Sequence, residues 1–356
     1  MFLRNCWYVA ASAYELGRGL LARTLLDERI VFYRKEDGAT VALEDRCAHR
    51  FYPLSKGDLK GDTIVCGYHG LEFDCTGKCV RVPGQTDVPQ GAGIRAFPTI
   101  ERWGLVWIWM GSPAAADASL IPDVWRQDHP EWKTLFNPPI HVQGDYRLLG
   151  DNLLDPSHVA FLHKTTLGSD VAEIPHETEV FDHSVRVVRW TIDKPAAPIF
   201  ARLGGFTGNV DRWQIITWTA PSMIEVDLGS CVTGTGAIDG DRSQGIEMRA
   251  YNFATPCTEK TFHYFWTHCR NYKHDDENVS KFTREQVLIA LAEDIMAIEG
   301  VQAGTDRYPE MRQINTRADG AGIRAKRLLK GLIDAEQASV AATEEIRSKV
   351  TATATS

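Results

Sequence analysis

The chain has 356 residues, is 44% hydrophobic and 24% charged, and carries a formal net charge of −8. That balance fits a folded, water-soluble protein with room for two domains and a large core. It excludes a nucleic-acid binder, because no basic run is present, and no apolar run nears the ~18 residues of a membrane span. The start, Met1-Phe2-Leu3-Arg4-Asn5-Cys6-Trp7, lacks the basic-then-apolar pattern of a signal peptide. A cytoplasmic protein is expected, its cysteines free or metal-bound rather than disulfide-linked.

Residues 1–112 read as short strands and tight turns. Arg29–Tyr33 and Thr40–Leu43 flank Glu36-Asp37-Gly38, a hairpin signal. Two motifs follow, Cys47-Ala48-His49 and Cys66-Gly67-Tyr68-His69, with 16 residues between them. In a Rieske-type [2Fe–2S] centre two thiolates hold one iron and two imidazoles the other. Each motif offers one Cys and one His, so two facing loops supply the full set. A zinc site is the alternative, but zinc fingers group like ligands together, and the order here is interleaved. Pro53, Gly57 and Gly70 suit tight loops that turn backbone N–H groups toward cluster sulfurs. Cys75 and Cys79 lie outside these loops, on a hairpin around Thr76-Gly77, and read as ordinary thiols. Gly104–Trp109 reads as a buried strand.

Pro113–Asp123, rich in Ala, Pro and Asp, reads as a linker, dividing a first domain at 1–122 from a second at 123–345. The run from Asp151 to His163 holds two His, two Asp and one Asn. Two His and a carboxylate on one face of Fe(II) leave positions open for O₂. His158 and His163 are the candidate imidazoles. Residues five apart sit ~140° apart on an ideal helix, so a π-like or unwound turn is needed to bring them together. The competing reading is a surface helix with Asp155 as N-cap before Pro156. Asp155 and Asn152 are the further catalytic candidates of the run.

Strands are expected at 178–191, 212–219, 222–231, 246–254 and 260–270. His263 and His268 share the His158/His163 spacing, but on a strand an odd separation puts them on opposite faces, so they are read as structural. A helix is expected over 283–300, with Val287, Leu291 and Ile298 as its apolar stripe. Asp294 falls on that stripe, whereas Glu293 and Glu299 do not. A buried acid is costly unless paired or metal-bound, so Asp294 is the candidate third ligand, against an Asp at the stripe's edge reaching water. A second helix is expected at 323–348, with 346–356 as a frayed tail. Arg249 or Arg270 could bind a substrate carboxylate, although a paired structural Arg is the commoner case.

The start Arg4–Ala10, the Cys66–Glu72 loop, Tyr146-Arg147-Leu148, the Asp151–His163 run, Asp211–Ile215 and Glu293-Asp294 together resemble the Rieske non-haem iron oxygenases over nearly the whole chain. The likeness is to their vanillate O-demethylase and dicamba monooxygenase branch, for which Leu71 rather than Trp is typical. Neither loop carries the extra Cys of respiratory Rieske proteins. The resemblance implies an α+β fold: an N-terminal Rieske β-domain, then a helix-grip (START-like) antiparallel sheet whose helices carry a mononuclear iron. It implies His158, His163 and Asp294 as iron ligands, in agreement with the stripe, and Asp155 as the bridge between metal centres. Pro156-Ser157 departs from close relatives without removing a ligand.

The chain has no second plant-type cluster motif and no strand-borne G-x-G-x-x-G, so electrons must come from a separate NADH-dependent reductase. The resemblance implies a head-to-tail homotrimer with transfer across the subunit boundary. It also implies O-demethylation of a vanillate-like methoxylated aromatic acid, giving a phenol and formaldehyde. Ring hydroxylation of an aromatic carboxylate or sulfonate is the alternative within enzymes, and a Rieske electron carrier the alternative outside them.

Overall fold

The computed structural model describes residues 1–163 and 175–354. In the first part the expected hairpin forms: Glu28–Arg34 pairs antiparallel with Thr40–Glu44, and Gly38 supplies the left-handed turn at φ 89°. These strands join Leu21–Leu25 and Ala96–Phe97 in one four-stranded sheet. A second four-stranded sheet runs Asp58–Lys60, Thr63–Val65, Glu72–Phe73, Cys79–Arg81. Between them lies one apolar core that includes Val31, Leu43, Leu54, Ile64 and Phe73, together with Cys47 and Cys66. The expected strand at 104–109 is Leu105–Trp109, paired with Trp7–Ser12 and Thr99–Arg102.

The segment read as a linker is largely exposed but has local structure and an anchor. It forms short 3-10 turns at Pro113–Ala115 and Ala118–Leu120, and the Trp7 indole donates to the Asp117 carbonyl at 2.7 Å. Ile121 and Val124 are buried in a cluster that joins Trp107 and Trp109 to Tyr251, Phe253 and Phe265 from the second half. Composition alone could not reveal this, because the partners arrive from more than 100 residues away.

The second half is an eight-stranded antiparallel sheet. The single strand expected at 178–191 is two, Glu177–Val180 and Ser184–Pro195, joined by a turn closed by Phe181 N–H to Ser184 C=O at 2.8 Å. Asn209–Thr219, Met223–Val232, Ile246–Thr258 and Thr261–Arg270 continue the sheet close to the expected bounds. One sheet face, with Val187, Ile216, Val226 and Tyr264, packs on helices α1 (Arg147–Leu154), α4 (Glu277–Arg307) and α5 (Gly320–Ala354). Two shorter helices, α2 (Val159–Leu162) and α3 (Pro198–Gly204), complete the set.

Both long helices exceed their expected bounds. Asp276 caps α4 by accepting from the N–H groups of Asn278 and Val279, so the helix begins at Glu277, six residues before the expected start at 283. α5 is helical through Ala354, into the segment expected to fray from 346; no Gly or Pro interrupts its last twenty residues.

Candidate active site with two metal-binding constellations

The Rieske motifs sit on two loops with the same wiring. Cys47 N–H donates to the Tyr52 carbonyl and Phe51 N–H to the Cys47 carbonyl; Cys66 N–H donates to Leu71 and Gly70 N–H to Cys66. The corresponding residues, Phe51 and Gly70, both take left-handed backbone, at φ 58° and 71°. Only one is the glycine that this conformation favours, so Phe51 carries strain of roughly 1 kcal/mol. Where the loops cross, a Cβ on Gly57 would sit 2.1 Å from the Val65 carbonyl, and one on Gly67 2.7 Å from the Lys56 carbonyl. Both glycines are required by this close approach.

The two thiols are buried, each 2% exposed, and lie against one another. Burial pushes the Cys47 thiol above its ordinary range. His49 and His69 are exposed, their rings 4.6 Å apart, edge to face. Two adjacent sulfurs below and two adjacent imidazoles above is the donor set of a cluster whose irons differ in ligand type. A ring of aromatic side chains surrounds this tip, with Phe51 67% and Tyr68 60% exposed.

The second constellation draws on α1, the turn after it, and α4. The chain does not make a π-bulge between the two histidines. α1 ends at Leu154, a 3-10 turn spans Pro156–His158, one helical turn follows, and His163 closes it with φ −100°, ψ 35°. The rings of His158 and His163 are thereby 5.1 Å apart. Asp294 Oδ1 is 3.1 Å from His163 Nε2 and 3.6 Å from His158 Nε2. Ligands at right angles, each about 2.1 Å from a metal, lie roughly 3 Å apart. The three donors therefore fit a facial triad, and all lie within 4.8 Å of one another.

Supporting groups fix these ligands. The Asn152 carboxamide donates to Asp294 Oδ1 at 3.0 Å. Glu293 was expected to fall off the helix face, yet its carboxylate reaches Nδ1 of His163 at 2.7 Å, which orients Nε2 toward Asp294. Glu293 is the residue that sequence reasoning missed; its position beside Asp294 was the available signal. Burial pushes the His163 pKa down, but Asp294 and Glu293 outweigh it and the net shift is upward. Asp155 behaves partly as the helix-cap reading holds: its Oδ1 accepts from Ser157 N–H at 2.9 Å. The contact within the chain between Asp155 and His158 runs from ring Nδ1 to the main-chain carbonyl at 2.5 Å, not to the carboxylate. Among the described residues, no hydrogen bond or ring contact links His49 or His69 to Asp155 or His158 of the same chain.

Other candidates take structural roles. Arg249 pairs with Glu225, Asp227 and Glu247, and Arg270 donates to the carbonyls of Tyr272 and Lys273 and to the Ser280 hydroxyl. His268 is buried on the helix face beside Trp266. His263 faces the other way, near His141 and Cys257. Burial, then the Arg23 guanidinium, then His141 depress His263 to about 3, an electrostatic setting that opposes a cation. Cys75 and Cys79 form no disulfide, nor does any other described cysteine.

Residues 6–97 match the Rieske [2Fe-2S] domain family, and residues 142–335 match the vanillate O-demethylase oxygenase C-terminal domain. A toluene-4-sulfonate monooxygenase system iron-sulfur subunit from Comamonas testosteroni is 39% identical over 96% of this chain and 100% of its own length. The vanillate O-demethylase oxygenase subunit of Pseudomonas sp. strain HR199 is 34% identical over 95% and 96%. A crystal structure of dicamba monooxygenase with non-haem iron and dicamba superposes with a TM-score of 0.82 at 32% identity, covering 95% of this chain and 99% of that one. Two matching Cys-His loops, a cluster of two histidines and an aspartate, and relatives matched over nearly their whole length place this chain in the Rieske non-haem iron oxygenases, as an oxygenase component whose catalytic half is of the vanillate O-demethylase type.

Proposed function

We propose that Cys47, His49, Cys66 and His69 hold the [2Fe–2S] cluster, that His158, His163 and Asp294 hold Fe(II), and that the enzyme O-demethylates a methoxylated aromatic acid. The observation that carries this reading is the convergence of both imidazoles on Asp294 Oδ1 beneath a protein-filled, buried helix face. When bound, the cluster stores one electron and the iron activates O₂. The chain's own residues position and shield. Glu293 and the Asp155 carbonyl each take one ring nitrogen, leaving Nε2 of both histidines directed at the carboxylate. Asn152 holds that carboxylate in place. The hydroxylated methoxy carbon then collapses as a hemiacetal to a phenol and formaldehyde.

Asp155 Oδ2 has no partner among the described residues, and the histidines of the Rieske tip are exposed. Both facts suit a head-to-tail trimer in which Asp155 of one chain accepts from a tip imidazole of the next. A separate reductase supplies electrons from NADH, which suits a cytoplasmic location; no helix among the described residues is long and apolar enough to cross a membrane.

A second reading, oxygenation of an arenesulfonate, is favoured by the 39% identity to a toluene-4-sulfonate monooxygenase subunit. One assay separates the two. Purified protein with about three irons per chain, a reductase and NADH is given 4-hydroxy-3-methoxybenzoate and toluene-4-sulfonate. Formaldehyde equimolar with O₂ consumed from the first supports demethylation. Hydroxylated toluenesulfonate with no formaldehyde from the methoxybenzoate overturns it.

A further inference from the structure

The sheet face turned away from α4 carries one constellation that the oxygenase reading does not use. His141 and His263 stand opposite each other on the antiparallel strands Ile140–Val142 and Thr261–Arg270. Their rings lie 5.4 Å apart. The neighbouring strand, Ile246–Thr258, pairs Thr255 with His263 and Pro256 with Phe262, then shifts register so that Cys257 has no partner across the hairpin. A bulge of this kind re-aims a side chain. Strand alternation puts Cys257 on the face of Thr255, which is that of His263. The Cys257 sulfur lies 3.8 Å from Nδ1 of His141, and one donor atom from each of the three residues falls within 4.8 Å of the others.

The spacing suits a tetrahedral metal. Sulfur about 2.3 Å and nitrogen about 2.1 Å from a zinc ion lie roughly 3.5 Å apart, close to the sulfur–nitrogen separation here. Nε2 of His263 is buried and has no hydrogen-bond partner among the described residues. A buried ring nitrogen left unpaired is costly, so it calls for a ligand. Burial, then Arg23, oppose a proton on His263, which keeps the ring neutral, the form in which imidazole binds a metal. The Arg23 charge that opposes a cation is itself offset by Glu15 at 2.6 Å. Burial pushes the Cys257 thiol up to about 11, with the Thr261 hydroxyl and the His263 N–H opposing. The thiol proton therefore stays until a metal displaces it, and the thiolate then supplies the negative charge that the neutral site lacks. His141 is exposed, so a metal can enter from solvent.

We infer that His141, Cys257 and His263 form a zinc site separate from both iron centres, with two imidazoles, one thiolate and a water as its ligands. Nitrogen and sulfur donors select zinc over magnesium or calcium, which take oxygen. Binding breaks the S–H bond, forms a Zn–S bond and releases one proton to the buffer, with no change of oxidation state. The site sits where the two halves of the chain are fastened together. The Leu26 and Asp27 N–H groups donate to the carbonyls of Pro256 and Cys257 at 2.9 and 2.8 Å, and the Thr255 hydroxyl donates to the Val9 carbonyl at 2.6 Å. His141 lies on the strand that leads into α1, so zinc clamps that strand to this junction.

The test is zinc uptake by the holoenzyme, with His141→Ala, Cys257→Ser and Asp294→Ala beside the parent. Each protein is given one equivalent of zinc chloride and freed of unbound metal, and its zinc and iron are counted by mass spectrometry. The parent is expected to hold about one zinc per chain besides its iron, with one sulfur at about 2.3 Å in the zinc X-ray absorption spectrum. Asp294→Ala removes one proposed iron ligand and should keep this zinc, which separates the site from the iron triad. Cys257→Ser should lose the sulfur from the zinc shell. In His141→Ala, chelator competition should show an affinity lower by at least about 10- to 100-fold, the loss that even a supporting group causes. His141 is exposed, so this variant tests the site if Cys257→Ser fails to fold. Zinc should also raise the melting temperature of the parent and not that of His141→Ala. No zinc retained by the parent, a zinc shell without sulfur, zinc lost in Asp294→Ala, or equal affinity in His141→Ala overturns the site.

Discussion

The two metal-binding regions are built on opposite plans. The Rieske tip takes its donors from two loops close in sequence, folded by identical backbone hydrogen bonds, and leaves both imidazoles at the surface. The iron triad joins His163 to a carboxylate 131 residues away and buries both, His163 at 1% exposure and Asp294 at 5%. The difference follows the work of each centre. A cluster that receives electrons from another protein needs an edge within reach of it, whereas O₂ chemistry needs water excluded and ligands held by fixed neighbours. Backbone geometry governs the first site, and side-chain packing and hydrogen bonding govern the second.

Three substitutions sharpen this contrast, the strongest first. Asp294→Ala should abolish turnover and remove one of about three irons per chain while the Rieske spectrum stays intact. Full activity would mean that Asp294 is not the third ligand, and loss of the cluster signal with the iron would mean that the two sites are not independent. Gly57→Ala should act at the other site only. The new Cβ meets the Val65 carbonyl, and overpacking of this kind costs roughly 1–3 kcal/mol. Acid-labile sulfide and melting temperature should fall, with mononuclear iron retained; an unchanged sulfide content would show that the loop crossing yields easily. Glu293→Gln is the mildest. It keeps an acceptor for His163 but removes the charge, and iron affinity measured by chelator competition should drop roughly 10- to 100-fold. Equal affinity in variant and parent would reduce Glu293 to a surface acid that happens to touch the ring.

The same contrast explains what could be read in advance. That Cys47 meets Cys66 and His49 meets His69 was legible because their spacing is set within one short stretch, and the loops need little beyond their own glycines and backbone bonds. That Asp294 is buried was legible for a different reason: it falls on the apolar stripe of its helix, where an acid is costly unless it has a partner. Glu293 was not, since the same periodicity turned it away; the 2.7 Å contact exists because His163, at the end of an irregular turn, reaches over α4. The Ala, Pro and Asp residues at 113–123 are largely exposed, as a linker composition suggests, and what only the tertiary structure shows is that Ile121 is anchored in the cluster with Tyr251, Phe253 and Phe265. Arg249 could not be placed in one dimension. It is a strand arginine in a polar stretch, and only the pairing of strands shows that it faces three carboxylates. The sequence by itself marked the two Cys-His loops, because their fold depends on near neighbours along the chain. Tertiary structure alone decided which side chains meet His163 and which charges are neutralised, because both depend on residues that come together only when the sheet closes on its helices.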